Sequence, residues 1–224
     1  MKLTQHSLAL LIDQQLLNPD ATRHDIKRVC REARGQGFRS VWVHGSRVVE
    51  AVALLEESEV KLATVVGFPS GAMEPDAKRY ETEVAIDNGA QEVNVVINLG
   101  WLKDGSDAAV LRELRDVVEA ADERPVGVML ETALLTQAEK VRACELAIDA
   151  GAKSVITCTG FGIGEATIED VKLLRGIVES KLEVTAVGTI PDLCRALALI
   201  EAGATRIGTA EGVAIMQQFE SGVS

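Results

Sequence analysis

Four times along the chain, a stretch of helical period closes on a glycine and gives way to a short β-branched run. The copies are Gly37-Phe38 before Ser40–Val43, Gly89-Ala90 before Glu92–Ile97, Gly151-Ala152 before Ser154–Thr157, and Gly203-Ala204 before Thr205–Ile207. A glycine just past a helix accepts the left-handed conformation that ends it. A brief β-branched run after such a stop suits a strand buried on both faces. Alternating helices and buried strands are the signature of βα units around a parallel sheet.

Filling the intervals predicts eight strands, near Ile12-Asp13, Ser40–His44, Lys61–Gly67, Glu92–Ile97, Val126–Glu131, Ser154–Thr157, Glu183–Ala186 and Thr205–Gly208. Amphipathic stretches such as Asp107–Ala121, Gln137–Ala150 and Ile168–Val178 separate them. Thr136 followed three residues later by Glu139 predicts a capping box, and Pro191 suits a first helical turn. No Ser/Pro/Gly-rich linker divides the chain. The pattern therefore predicts one α/β domain over residues 1–219, a (β/α)8 barrel (TIM barrel), with 220–224 as a loose tail. An open doubly wound sheet is the alternative. In a barrel the reactive groups gather at the C-terminal ends of the strands. That places His44, Asn98, Glu131, Thr157, Cys158 and Thr185 at the mouth, with Asp13 near the end of the first strand and glycine-rich turns at 159–162 and 208–212.

Composition narrows the function. Aromatic residues are only 3% of the 224, so the core is aliphatic, and the formal net charge of −11 disfavours nucleic acid and anionic membranes as partners. Cys30, Cys144, Cys158 and Cys194 are widely spaced and read as reduced cytoplasmic thiols. The three histidines, His6, His24 and His44, show no ligand spacing, so no metal is expected. Neither a secretory leader nor a long apolar span is evident. The expected partner is a small-molecule ligand, with no cofactor, nucleic acid or membrane.

Seven segments, in order from about residue 8 to about 216, resemble the deoxyribose-phosphate aldolase family. They are Ile12–Thr22, Val66–Gly71, Glu92–Gly100, Glu131–Thr136, Glu139–Cys144, Thr157–Phe161 and Ala202–Thr209. The resemblance implies a class I aldolase, a possible homodimer, and a phosphate held at the last two βα turns. It also implies a Schiff-base lysine just before Thr157, a second lysine two residues after Glu183, and an aspartate between Val93 and Val95. This chain carries Ile156, Thr185 and Asn94 there. An imine needs an amine of depressed pKa at the mouth. Of the nine lysines, Lys61 and Lys153 lie at strand starts, and Lys153 stands ~10 Å from Ile156 along the strand, on the other face. Lys78, early in a helix, is the remaining substitute.

Each other candidate carries two readings. His44 is an acid/base or a rim histidine. Cys158 is a nucleophile or a packed thiol. Glu131 is a general base or a structural acceptor. Asp13 and Asn94 could order substrate hydroxyls, and Trp42 either fills the substrate space or walls a ligand. Thr157, Gly160, Phe161, Gly188 and Gly208 would line the ligand. Glu211, where the family has a small residue, either repels a phosphate ~4 Å away by roughly 1–4 kcal/mol or complements a helix dipole. Three functional expectations follow: a barrel repurposed to acid/base chemistry on a small non-phosphorylated carbonyl or sugar-like compound, a non-catalytic pseudo-aldolase, or an aldolase with a relocated amine.

Overall fold

The computed structural model describes residues 3–162 and 164–222. Eight parallel strands form a closed barrel in sequence order: β1 (Ile12–Leu16), β2 (Ser40–His44), β3 (Lys61–Val66), β4 (Glu92–Val96), β5 (Val126–Met129), β6 (Ser154–Ile156), β7 (Glu183–Val187) and β8 (Arg206–Thr209). The closing pair, Ile12 with Ile207 and Asp13 with Gly208, excludes the open sheet. Around the barrel stand α1 (Gln5–Ala9), α2 (Arg23–Gln36), α3 (Val48–Leu55), α4 (Pro75–Asp87), α5 (Leu99–Lys103), α6 (Asp107–Ala120), α7 (Gln137–Ala150), α8 (Ile168–Val178), α9 (Leu193–Glu201) and α10 (Gly212–Ser221).

Period-2 alternation divides the apolar strand residues between two cores. Val41, Val43, Val93, Val95, Val155, Val184 and Ile207 face outward and meet the helices. Trp42, Val65, Val96, Met129, Ile156 and Val187 face inward and fill the barrel. The helices oppose the outer core with one buried stripe each; Ile26, Val29, Cys30 and Ala33 form that of α2. The box at Thr136 and Glu139 starts α7 as expected, each side chain accepting from the other residue's backbone N–H.

Two boundaries differ from the sequence reading. Pro191 lies outside α9, which Asp192 caps by accepting from Arg195 N–H at 2.8 Å, because a carboxylate competes for the cap position better than the proline ring. The last helix runs to Ser221, two residues into the expected tail. Residues 223 and 224 lie outside the described residues.

Candidate active site

The barrel interior is layered, and the lowest layer is ionic. Arg206, the first residue of β8, is 2% exposed and binds both oxygens of Asp13 at 2.8 Å. It also pairs with Glu92 at 2.9 Å and Glu183 at 3.5 Å. Burial alone would lower the Arg206 pKa, but Asp13 and Glu92 outweigh it and raise the value. Burial raises that of Glu92 against the pull of Arg206. Ser40 donates to Asp13 at 2.6 Å and accepts from the Trp42 indole at 2.9 Å, and the Arg206 guanidinium lies 6.0 Å from the indole centroid.

Two candidates are corrected here. Asp13 is not a mouth residue, because β1 runs three residues beyond it and leaves its carboxylate in the floor. Trp42 is not a ligand wall, because it occupies the middle of β2, faces inward and is fully buried beneath the next layer.

Asn94, Thr185 and Ile156 follow above, all fully buried. Both polar atoms of the Asn94 side chain and the Thr185 hydroxyl lack hydrogen-bond partners among the described residues. Gly127, opposite Asn94 in register, has to be glycine: a Cβ would lie 2.7 Å from Ser154 Oγ and 2.9 Å from Ile156 Cδ1, with Asn94 Oδ1 closer still. Ile156 and Thr185 are direct register partners on β6 and β7.

The upper layer is apolar. Leu17, Val96, Met129 and Val187 surround Cys158, and Phe68 packs onto them from the β3 turn. Phe68 stands edge-on to His44 at 5.5 Å and to Phe161 at 5.2 Å, so three rings span the mouth. Phe161 is 48% exposed. The His44 Nε2–H donates to the Leu17 carbonyl at 2.8 Å, and since a carbonyl only accepts, the proton resides on Nε2 in the neutral ring.

The β5 and β6 turns are locked together. Glu131 takes the left-handed conformation (φ 52°, ψ 59°), at a cost on the order of 1 kcal/mol for a residue with a Cβ. That turn sends its carboxylate under the next loop, where one oxygen accepts the Thr159 N–H and the other lies where a Cβ of Gly162 would be. Thr157 is spent on structure: its hydroxyl donates to Val187 O at 3.0 Å and accepts Val187 N–H at 2.9 Å. Cys158 donates to the same carbonyl at 2.7 Å, and burial pushes its pKa up to about 11. Burial likewise raises Cys30 to about 11 and Cys144 to about 12, leaving Cys194 as the exposed thiol. Iodoacetamide at pH 8 is therefore expected to label one cysteine in the native chain and four in urea, counted by mass spectrometry. Fast native labelling at Cys158 would contradict the packed-thiol geometry.

At the far rim, Gly188 packs against the 165–166 backbone, where a Cβ would meet Ala166 N at 3.0 Å. Gly208 leaves room for the Gln15 amide, which would stand 2.5 Å from a Cβ there. Glu211 is exposed just before α10, its N–H donating to the Thr209 hydroxyl at 3.0 Å.

Lys78 is not a relocated amine. It is fully buried on the outer side of the sheet, where Nζ donates to Val96 O at 2.9 Å and to Glu113 of α6 at 2.7 Å. Burial pushes the Lys78 pKa down and that of Glu113 up, each opposed by its partner's charge. Lys140 is half-buried and paired with Asp170, and the other described lysines are exposed. Sequence reasoning missed Phe68, Gln15 and the Lys78–Glu113 pair. Phe68 had a readable signal, since it follows the third strand's end; the pair had none, because α4 and α6 meet only in the fold.

A closed parallel barrel that holds Asn94 and Thr185 in its interior and His44 and Glu131 at or just past its strand ends has the architecture of the (β/α)8 enzymes. A DeoC/LacD family aldolase profile matches residues 7–165, and the chain belongs to that family. A deoxyribose-phosphate aldolase from Alkaliphilus oremlandii is 50% identical over 94% of this chain and 95% of its own length. One from Geobacillus sp. is 49% identical over 95% and 96%. Among solved structures, the tetrameric deoxyribose phosphate aldolase from Aeropyrum pernix superposes with a TM-score of 0.91 at 31% identity, covering 98% of this chain and 94% of that one. An aldolase called QR15 gives 0.91 at 32%, covering 96% of each. These relatives overturn the expectation of a repurposed or non-catalytic barrel: proteins half-identical over nearly the whole chain carry the aldolase name. Among the described residues no helix is long and apolar enough to cross a membrane.

Proposed function

We propose that the chain is a lyase of the deoxyribose-phosphate aldolase type. It would break the C2–C3 bond of 2-deoxyribose 5-phosphate, leaving a two-carbon aldehyde and a three-carbon aldehyde phosphate. The observation that carries this reading is 50% identity with an aldolase of that name over 94% of the chain. In the reaction the C3 hydroxyl gives up its proton, the bonding pair moves toward the C1 carbonyl, and C2 is reprotonated. The polar groups nearest the interior floor, Asn94 and Thr185, have unspent hydrogen-bonding capacity for the C1 and C3 oxygens. The phosphate belongs over the β7 and β8 turns, as the resemblance implies, and self-association is part of the same reading.

Ile156 offers no amine, so turnover is expected to be slow, and Phe68 and Phe161 have to move before a sugar reaches the floor. The test is a coupled assay for acetaldehyde release from 2-deoxyribose 5-phosphate with purified protein. Turnover above the protein-free rate, saturable in substrate, is the expected result. A rate equal to the protein-free control at every substrate concentration would end the proposal.

A further inference from the structure

Beneath the ionic floor, at the N-terminal ends of β6 and β7, lies a cavity of about 480 Å³ that the chemistry above does not use. Five cationic side chains line it against two anionic ones, Glu92 and Glu183, on a chain whose formal net charge is −11. Two of the cations are committed: Arg206 to Asp13 and Glu92, and Arg39 to Glu183 at 2.9 Å. The other three are Lys153, Lys181 and Arg175. Lys153 and Lys181 are exposed at the cavity edge, and neither has a carboxylate or hydrogen-bond acceptor among the described residues.

Arg175 supplies the independent observation. Its Nε donates to Gly203 O at 3.0 Å and its Nη1 to Leu182 O at 3.1 Å, which fixes the guanidinium against the wall. Its Nη2 is buried with no acceptor among the described residues. Burial lowers the Arg175 pKa against the opposing charge of Glu183, which lines the same cavity. Its charge adds to those of Lys153 and Lys181 along the lining, and an oxyanion is the ligand that such a cationic lining suits, since guanidinium and ammonium groups pair with carboxylate or phosphate oxygens.

We propose that this N-terminal cavity binds a multivalent oxyanion of the phosphate class, at a site separate from the mouth, with Arg175 as its fixed cation and Lys153 and Lys181 closing over it. The probe is inorganic pyrophosphate, titrated into the full chain by isothermal calorimetry at low ionic strength. Saturable binding at one site is expected, unaffected by added 2-deoxyribose 5-phosphate. Lys153→Gln with Lys181→Gln is expected to weaken it at least ~10-fold, since two charge-assisted contacts are lost, while acetaldehyde release stays at the wild-type rate. Both lysines are exposed, so the fold is retained. Absence of saturable binding would overturn the site. So would equal affinity in the double variant, or displacement by the sugar phosphate, which would put the anion at the mouth.

Discussion

Replacement of Arg206 by methionine is expected to destabilise the barrel by about 3–5 kcal/mol, the usual effect of removing one partner from a buried ionic cluster. The guanidinium is the positive centre for Asp13 and Glu92, both nearly inaccessible, and it also backs the Trp42 ring. Methionine fills similar space but leaves two carboxylates facing each other without a cation. For a domain of this size the loss corresponds to a fall in Tm on the order of 10 °C. The deficit should depend on pH. In the variant, Glu92 loses the cation that opposes its burial, which leaves its folded-state pKa raised further. An acid raised on folding stabilises below its unfolded value and loses that contribution as pH rises through the folded one. The variant should therefore approach the wild type in stability as pH falls from 7 toward 5, and adding Asp13→Asn should recover part of the loss at pH 7. Urea unfolding at both pH values measures it. A variant within ~0.5 kcal/mol of wild type at pH 7 would mean the cluster contributes little beyond packing.

The same cluster marks where the sequence was legible and where it was not. Strand positions followed from local chemistry: glycine stops, β-branched runs and caps act over a few residues, so Ser40–His44 and Gln137–Ala150 are found where the pattern puts them. Depth inside the barrel is set by register between distant segments, which no local pattern carries. Asp13 looked like a strand end because an apolar run stops at Ile12 and polar residues follow; the polar Gln14 and Gln15 nevertheless continue β1, since one amide caps the α10 turn and the other occupies the space at Gly208. Trp42 looked like a pocket wall because nothing in its neighbourhood announces that Ser40 and Arg206 will hold it beneath the active layer. At Ile156, Thr185 and Asn94 the residue identities were plain from the start. Three residue identities do not decide function against the likeness of the whole chain, which is 50% identical over 94% of its length to a protein that carries the aldolase name.

Those positions carry the largest gain expected from any change to this chain. Ile156 and Thr185 are paired in register on adjacent strands, both inward and fully buried. Neighbouring parallel strands stand ~4.8 Å apart, so lysines at both positions would run side by side up the interior. Burial and the like charge next door would each disfavour ionisation, leaving one amine neutral near neutral pH and able to attack an aldehyde. The imine would then accept the electron pair of the breaking C2–C3 bond better than a carbonyl does. Ile156→Lys with Thr185→Lys is expected to raise acetaldehyde release by at least ~10²-fold over wild type, the scale on which positioned catalytic groups act. Borohydride with acetaldehyde should fix an ethyl group on the lysine introduced in β6 of the variant and on no residue in the wild type, located by peptide mass mapping. Two ammonium groups in an apolar layer oppose folding, so Ile156→Lys alone, with the neutral Thr185 retained, is the companion: it should form the same adduct with a smaller gain in rate. A folded variant, shown by its circular dichroism, that gives neither adduct nor gain would mean that Phe68 and the upper layer, rather than the missing amine, keep the sugar from the floor.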